Sequence, residues 1–117
     1  VGSHTHTHTI TTLQNDDEGT GELLLSKGLV EKNLAKPCDL FCYPNGDYDD
    51  YSSATGARLK KLGFKCGLTT VAGFVKEGPD PYEILRFGTD DRDSFEKFRM
   101  TFSLGRNLLQ GARRAIS

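Results

Sequence analysis

DLFCYPNGDY, residues 39 to 48, opens with a short apolar run and ends in residues that bend a chain. Pro37 bounds the run on one side, and Pro44, Asn45 and Gly46 bound it on the other, so residues 39 to 44 read as a buried strand. Such a strand alternates with helices in α/β folds and carries its functional groups at its carboxyl end. There the PNGD turn offers backbone N–H groups and the Asp47 carboxylate. An ordinary tight turn with an Asx cap accounts for the same residues.

On either side the pattern is helical. Residues 18 to 35, EGTGELLLSKGLVEKNLA, space Leu23, Leu24, Val30 and Leu34 at near-helical intervals, and Pro37 stops the helix. Beyond the turn, Asp49 and Asp50 are N-cap candidates for a helix over about 50 to 62, closed by Gly63. FKCGLTT, 64 to 70, is the next strand. Residues 71 to 90 are irregular, with YEILRF, 82 to 87, extended. A last helix is expected over 91 to 115 through Phe95, Phe98, Met100, Phe102 and Leu108, and Arg106, Arg113 and Arg114 suit the negative end of its dipole. The order is strand, helix, strand, helix, strand, loop, helix, with a first strand before residue 18. It indicates α/β architecture with parallel strands, without internal repeats or low-complexity segments.

The whole of residues 1 to 117 suits one domain: 36% of the residues are hydrophobic, enough for a modest core. A net charge of -1 and a pI near 6.3 argue against nucleic acid as a partner, since tracking phosphates needs an excess of Lys and Arg. No apolar run reaches the ~20 residues of a transmembrane helix, and no signal peptide is evident. Cys38, Cys42 and Cys66 lack metal-ribbon spacing and read as small buried hydrophobes, the alternative being one disulfide with a thiol left over. Three or four strands each followed by a helix amount to about half of a closed barrel, which would leave strand edges open. A homo-oligomer or a further N-terminal segment is the expected cover.

The histidines stand in GSHTHTHT, residues 2 to 9. On a continuous strand His4 and His8 would lie about 13 Å apart, too far to share an ion. If the chain coils after His4, positions four apart come together while His6 points away. A half-exposed strand with a polar His/Thr face competes with that metal-binding turn. A purification-tag remnant fits poorly, because tags run their histidines together.

Taken in order, these features resemble the polysaccharide deacetylase family, the carbohydrate esterases with a NodB homology domain. VGSHTHTH resembles the family's His-(Ser/Thr)-x-x-His metal motif, FCYPNGDY a variant of its next strand-end motif, and LKKLGFKCGLTTVAG the section after that. DPYEILRF resembles a Pro-to-Arg segment of one branch. The resemblance implies part of a distorted (β/α) barrel lacking its N-terminal strand or strands. It also implies hydrolysis of N-acetyl groups from an N-acetylglucosamine-containing polysaccharide with a divalent metal, often zinc. By carry-over His4 and His8 are metal ligands, the backbone N–H of Asn45 donates to the oxyanion, and Arg86 takes the orienting role of the Arg that Cys42 replaces, the alternative being an ordinary exposed arginine. The family's aspartate pair, which supplies the base and third ligand, and its late Leu-x-His motif have no counterpart in residues 1 to 117. The chain is therefore expected to be the C-terminal portion of a catalytic domain. A non-catalytic metal- or carbohydrate-binding α/β module is the alternative. Members commonly act outside the cytoplasm.

Overall fold

The computed structural model describes residues 1–75 and 77–103. Two parallel strands form the centre, β1 (Leu40–Cys42) and β2 (Cys66–Leu68), with Leu40 opposite Cys66, Phe41 opposite Gly67 and Cys42 opposite Leu68. Single parallel bridges add a segment on each side, Ser3 against Phe41 and Ile84 against Leu68. Four chain segments therefore run side by side in the order Ser3, β1, β2, Ile84. The strands expected over 39 to 44 and 64 to 70 shorten to three residues each, and the extended 82 to 87 shortens to the bridge at Ile84.

Three helices, α1 (Asp16–Leu34), α2 (Ser53–Lys61) and α3 (Phe95–Thr101), follow the sheet segments. The first begins two residues before the expected Glu18, because the Asn15 side chain accepts the Glu18 N–H, with Asp16, Asp17 and Glu18 in the first turn. It ends at Ala35, whose φ of 49° is left-handed. The second helix is capped not by Asp49 or Asp50 but by Ser52, in a capping box with Thr55. The physical reason is a tertiary one: Thr11 and Thr12 donate through Oγ1 to the carbonyls of Asp50 and Asp49 and hold that stretch as a loop. The third helix covers only part of the expected 91 to 115, and Arg106, Leu108, Arg113 and Arg114 lie outside the described residues.

Alternation along the strands decides which side is core. Phe41 and Tyr43 point to the helices and are fully buried with Leu23, Cys38, Leu59 and Phe64, each aromatic worth about 1.5–3 kcal/mol of burial. Edge-to-face ring contacts join Phe41 to Tyr43 and to Phe64. The phenols are satisfied in series, Tyr43 donating to the Tyr82 carbonyl and Tyr82 to that of Phe64, both at 2.8 Å. Gly67 is required here, since a Cβ would come within 2.9 Å of the Tyr43 ring. All three cysteines are unbridged, with Cys38 buried and Cys42 and Cys66 half-buried on the opposite face.

Candidate metal centre

Ser3 sets up the site. Its N–H donates to the Leu40 carbonyl and its carbonyl accepts the Cys42 N–H, while its hydroxyl meets that of Ser26 on α1 at 2.5 Å. His4 therefore emerges at the carboxyl end of the first sheet segment. The chain then coils, with Thr5 and His8 both at a φ of 59°. For a β-branched residue that conformation is uncommon, and each such residue carries about 1–3 kcal/mol of strain that surrounding contacts must outweigh.

Coiling brings the His4 and His8 rings to 4.8 Å between centroids at 67°, instead of the ~13 Å of an extended strand. Half-exposed strand geometry across residues 4 to 8 is thereby excluded. His4 Nδ1 lies 2.8 Å from the Cys42 carbonyl oxygen, an atom that can only accept, so Nδ1 carries a proton and the neutral form of the ring has its lone pair on Nε2. His6 contributes its backbone: its N–H and that of Thr7 both donate to Glu22 Oε2 at 2.8 Å, and Thr7 Oγ1 donates to Glu22 Oε1 at 2.8 Å. Desolvation pushes the Glu22 carboxyl upward, but the Thr7 and His6 donors together outweigh it and its pKa lies below the ordinary value.

The chemistry of these residues fits a divalent cation as part of a donor set. Two imidazoles are side by side, one with its tautomer fixed, and the buried hydroxyls of Thr5 and Thr9 have no protein partner among the described residues. Yet no group of three or more His, Cys, Asp or Glu side chains that could hold a metal occurs among the described residues. A catalytic zinc takes three protein ligands and a water, so the pair is one ligand short.

Asn45 stands at the end of β1, in the left-handed region at φ 57°. Its carbonyl accepts Thr70 Oγ1 at 2.7 Å and the Gly46 carbonyl accepts the Thr70 N–H at 2.8 Å, tying the loop after β1 to the loop after β2. The Asn45 N–H meets no acceptor among the described residues. Asp47 Oδ1 accepts the N–H of the adjoining Tyr48 rather than that of the residue two on, as an Asx cap would, while Asp50 Oδ2 accepts the Asp47 N–H and the Asp47 carbonyl accepts the Asp50 N–H. Those carboxylates are engaged in the turn. Arg86 is exposed, with its Nε donating to the Thr69 carbonyl at 2.7 Å and its N–H to that of Val71. It reaches the same rim as Asn45, through adjoining Thr69 and Thr70. Glu22 and the Cys42 carbonyl escaped the sequence reading. Each lies far along the chain from the residues it bonds, Cys42 from His4 and Glu22 from His6 and Thr7, and only the fold brings them to the turn.

Histidines and backbone donors are gathered at the carboxyl ends of parallel segments in an α/β protein, the end at which such folds place their sites. The particular lineage follows from comparison: the polysaccharide deacetylase family model matches residues 1–67, and the chain belongs to that family. Among solved structures, the Streptococcus pyogenes deacetylase PplD in complex with acetate has a TM-score of 0.75 at 24% identity, over 87% of this chain and 44% of its own. A polysaccharide deacetylase from Bacillus cereus has a TM-score of 0.74 at 27% identity, over 88% of this chain and 32% of its own. The chain thus spans less than half the length of either structure. No curated protein matches it.

Proposed function

We propose that this chain forms part of a NodB-type (β/α) barrel that hydrolyses N-acetyl groups of an N-acetylglucosamine-containing polysaccharide with a divalent metal, zinc in the first instance. The observation that carries the reading is the side-by-side His4 and His8 pair with His4 Nδ1 pinned to the Cys42 carbonyl. His4 would bind through Nε2, and His8 would be the second ligand. When bound, the metal supplies Lewis acidity and a water of lowered pKa.

The protein's own groups do the rest. The Asn45 N–H donates to the amide oxygen as negative charge develops on it. Arg86, anchored by its Nε on Thr69, directs its remaining guanidinium N–H groups toward a carboxylate. The third ligand and the general base come from polypeptide outside these 117 residues, or from a second copy covering the open sheet edges. Support for that division is the short span of the chain against its solved relatives and the lack of a third donor among the described residues.

Zinc titration against a chromophoric chelator tests the site. His4→Ala and His8→Ala each weaken uptake by more than about 100-fold, since they remove ligands themselves, while His6→Ala stays within about threefold. Equal losses in all three variants would refute the assignment. The missing third donor favours a second reading, a metal- or sugar-binding module without turnover. Acetate release from an N-acetylated chitin oligosaccharide, with zinc present, separates the two.

A further inference from the structure

We propose that Glu22 is a positioning residue for the His4–His8 turn, holding the two imidazoles side by side before any cation arrives; the metal half of this inference rests on the function proposed above. Glu22 touches neither imidazole. It projects from α1 and receives three donors from the two residues midway between the histidines: the N–H groups of His6 and Thr7 and the Thr7 hydroxyl, all at 2.8 Å.

That placement meets a mechanical need. The turn passes through the left-handed region at Thr5 and again at His8, so left to itself it would relax toward extended backbone and part the rings. On the near side His4 is held by the Ser3 bridge and by its bond to the Cys42 carbonyl. Beyond His8 the next anchor is the Thr11 hydroxyl on the Asp50 carbonyl. Between these fixed points the Glu22 carboxylate is what grips the chain, and it uses both oxygens on consecutive residues, which fixes orientation as well as position. A glutamine can imitate most of this. Its carbonyl oxygen can accept both N–H groups, and its amide can donate to the Thr7 hydroxyl. Alanine can imitate none of it.

The experiment uses the full chain as wild type, Glu22→Gln, Glu22→Ala and, as a charge control on the same helix, Asp17→Asn. In the metal-free protein, amide hydrogen exchange at His6 and Thr7 is expected to accelerate several-fold in Glu22→Ala and to change little in Glu22→Gln and Asp17→Asn. Zinc affinity is expected to fall about 10–100-fold in Glu22→Ala and to stay within about threefold in the other two. Thermal melts confirm that each variant is folded. Unchanged exchange at His6 and Thr7 in a folded Glu22→Ala overturns the proposal whatever zinc does, and so does Glu22→Gln behaving like Glu22→Ala in exchange. If wild type takes up no zinc through His4 and His8, the proposed function fails on its own. The exchange result then still decides whether Glu22 holds the turn.

Discussion

At the scale of single residues, the loop after β1 depends on Gly46 more than on any of its polar neighbours. Its φ is 75°, and a Cβ there would sit 3.0 Å from both the Thr70 nitrogen and the Tyr43 carbonyl oxygen, backbone atoms that cannot swing aside. Gly46→Ala is expected to cost about 2–3 kcal/mol, combining left-handed strain with that contact, and to loosen the Thr70 tie that orients Asn45. Urea unfolding measures it, and a loss under about 0.5 kcal/mol would contradict the geometry. Tyr43→Phe works by a different cause. The buried phenol donates to the Tyr82 carbonyl, so its removal leaves an unpaired acceptor and should cost about 1–3 kcal/mol. Gly46 was legible in the sequence because a Pro-Asn-Gly turn announces itself. The role of Tyr43 was not, because its partner lies 39 residues away.

At the scale of elements, α2 offers a test of what sets a helix start. Asp49 and Asp50 are plausible caps by residue type, but it is Ser52, in extended backbone at φ -153° and ψ 173°, whose hydroxyl accepts the Thr55 N–H. Ser52→Ala is expected to cost about 1 kcal/mol, and Asp49→Ala less than 0.5 kcal/mol, since Thr12 uses the Asp49 carbonyl and not its side chain. The helices themselves were readable from capping residues, apolar spacing and Pro37. The first residue of α2 was not, because Thr11 and Thr12 hold the Asp49–Asp50 stretch and decide where the preceding loop stops. The turn joining α1 to β1 answers to pH. The Cys38 N–H and then Lys27 hold the Glu31 carboxyl below its ordinary pKa of 4.5. With the folded value depressed, its stabilising effect is fully present above the ordinary value and is lost as pH falls through the folded one. The melting temperature should therefore drop from about pH 5 downward, and Glu31→Gln should flatten that acid limb. Lys65 has the opposite sign. Its bond to Asp39 raises its pKa above 10.5, so that contribution persists below this value and is lost as pH rises through the folded one.

At the scale of the whole molecule, the described residues leave the sheet with one buried face and one partly exposed face. Phe41, Tyr43 and Gly67 are buried against the helices, whereas Leu40, Cys42, Cys66 and Leu68 on the other side are only partly covered, Leu40 being 43% exposed. The alternation that reveals a buried strand could not reveal this asymmetry. An apolar run such as DLFCYP reads the same whether one face or both are covered, and the register with β2 is needed to see which residues share a side. An open apolar face flanked by single-bridge segments invites a partner sheet, either more of a barrel or a second copy. The chain alone is accordingly expected to self-associate at micromolar concentrations and to enhance the fluorescence of a hydrophobic dye. Leu40→Lys places a charge on the open face, where partial exposure keeps its cost to folding near 1 kcal/mol or less, and should suppress both effects. Light scattering after gel filtration measures the first and dye titration the second. A wild-type chain that stays monomeric and leaves the dye dark would mean that Leu40, Cys42, Cys66 and Leu68 are already covered, and that the sheet is complete as it stands.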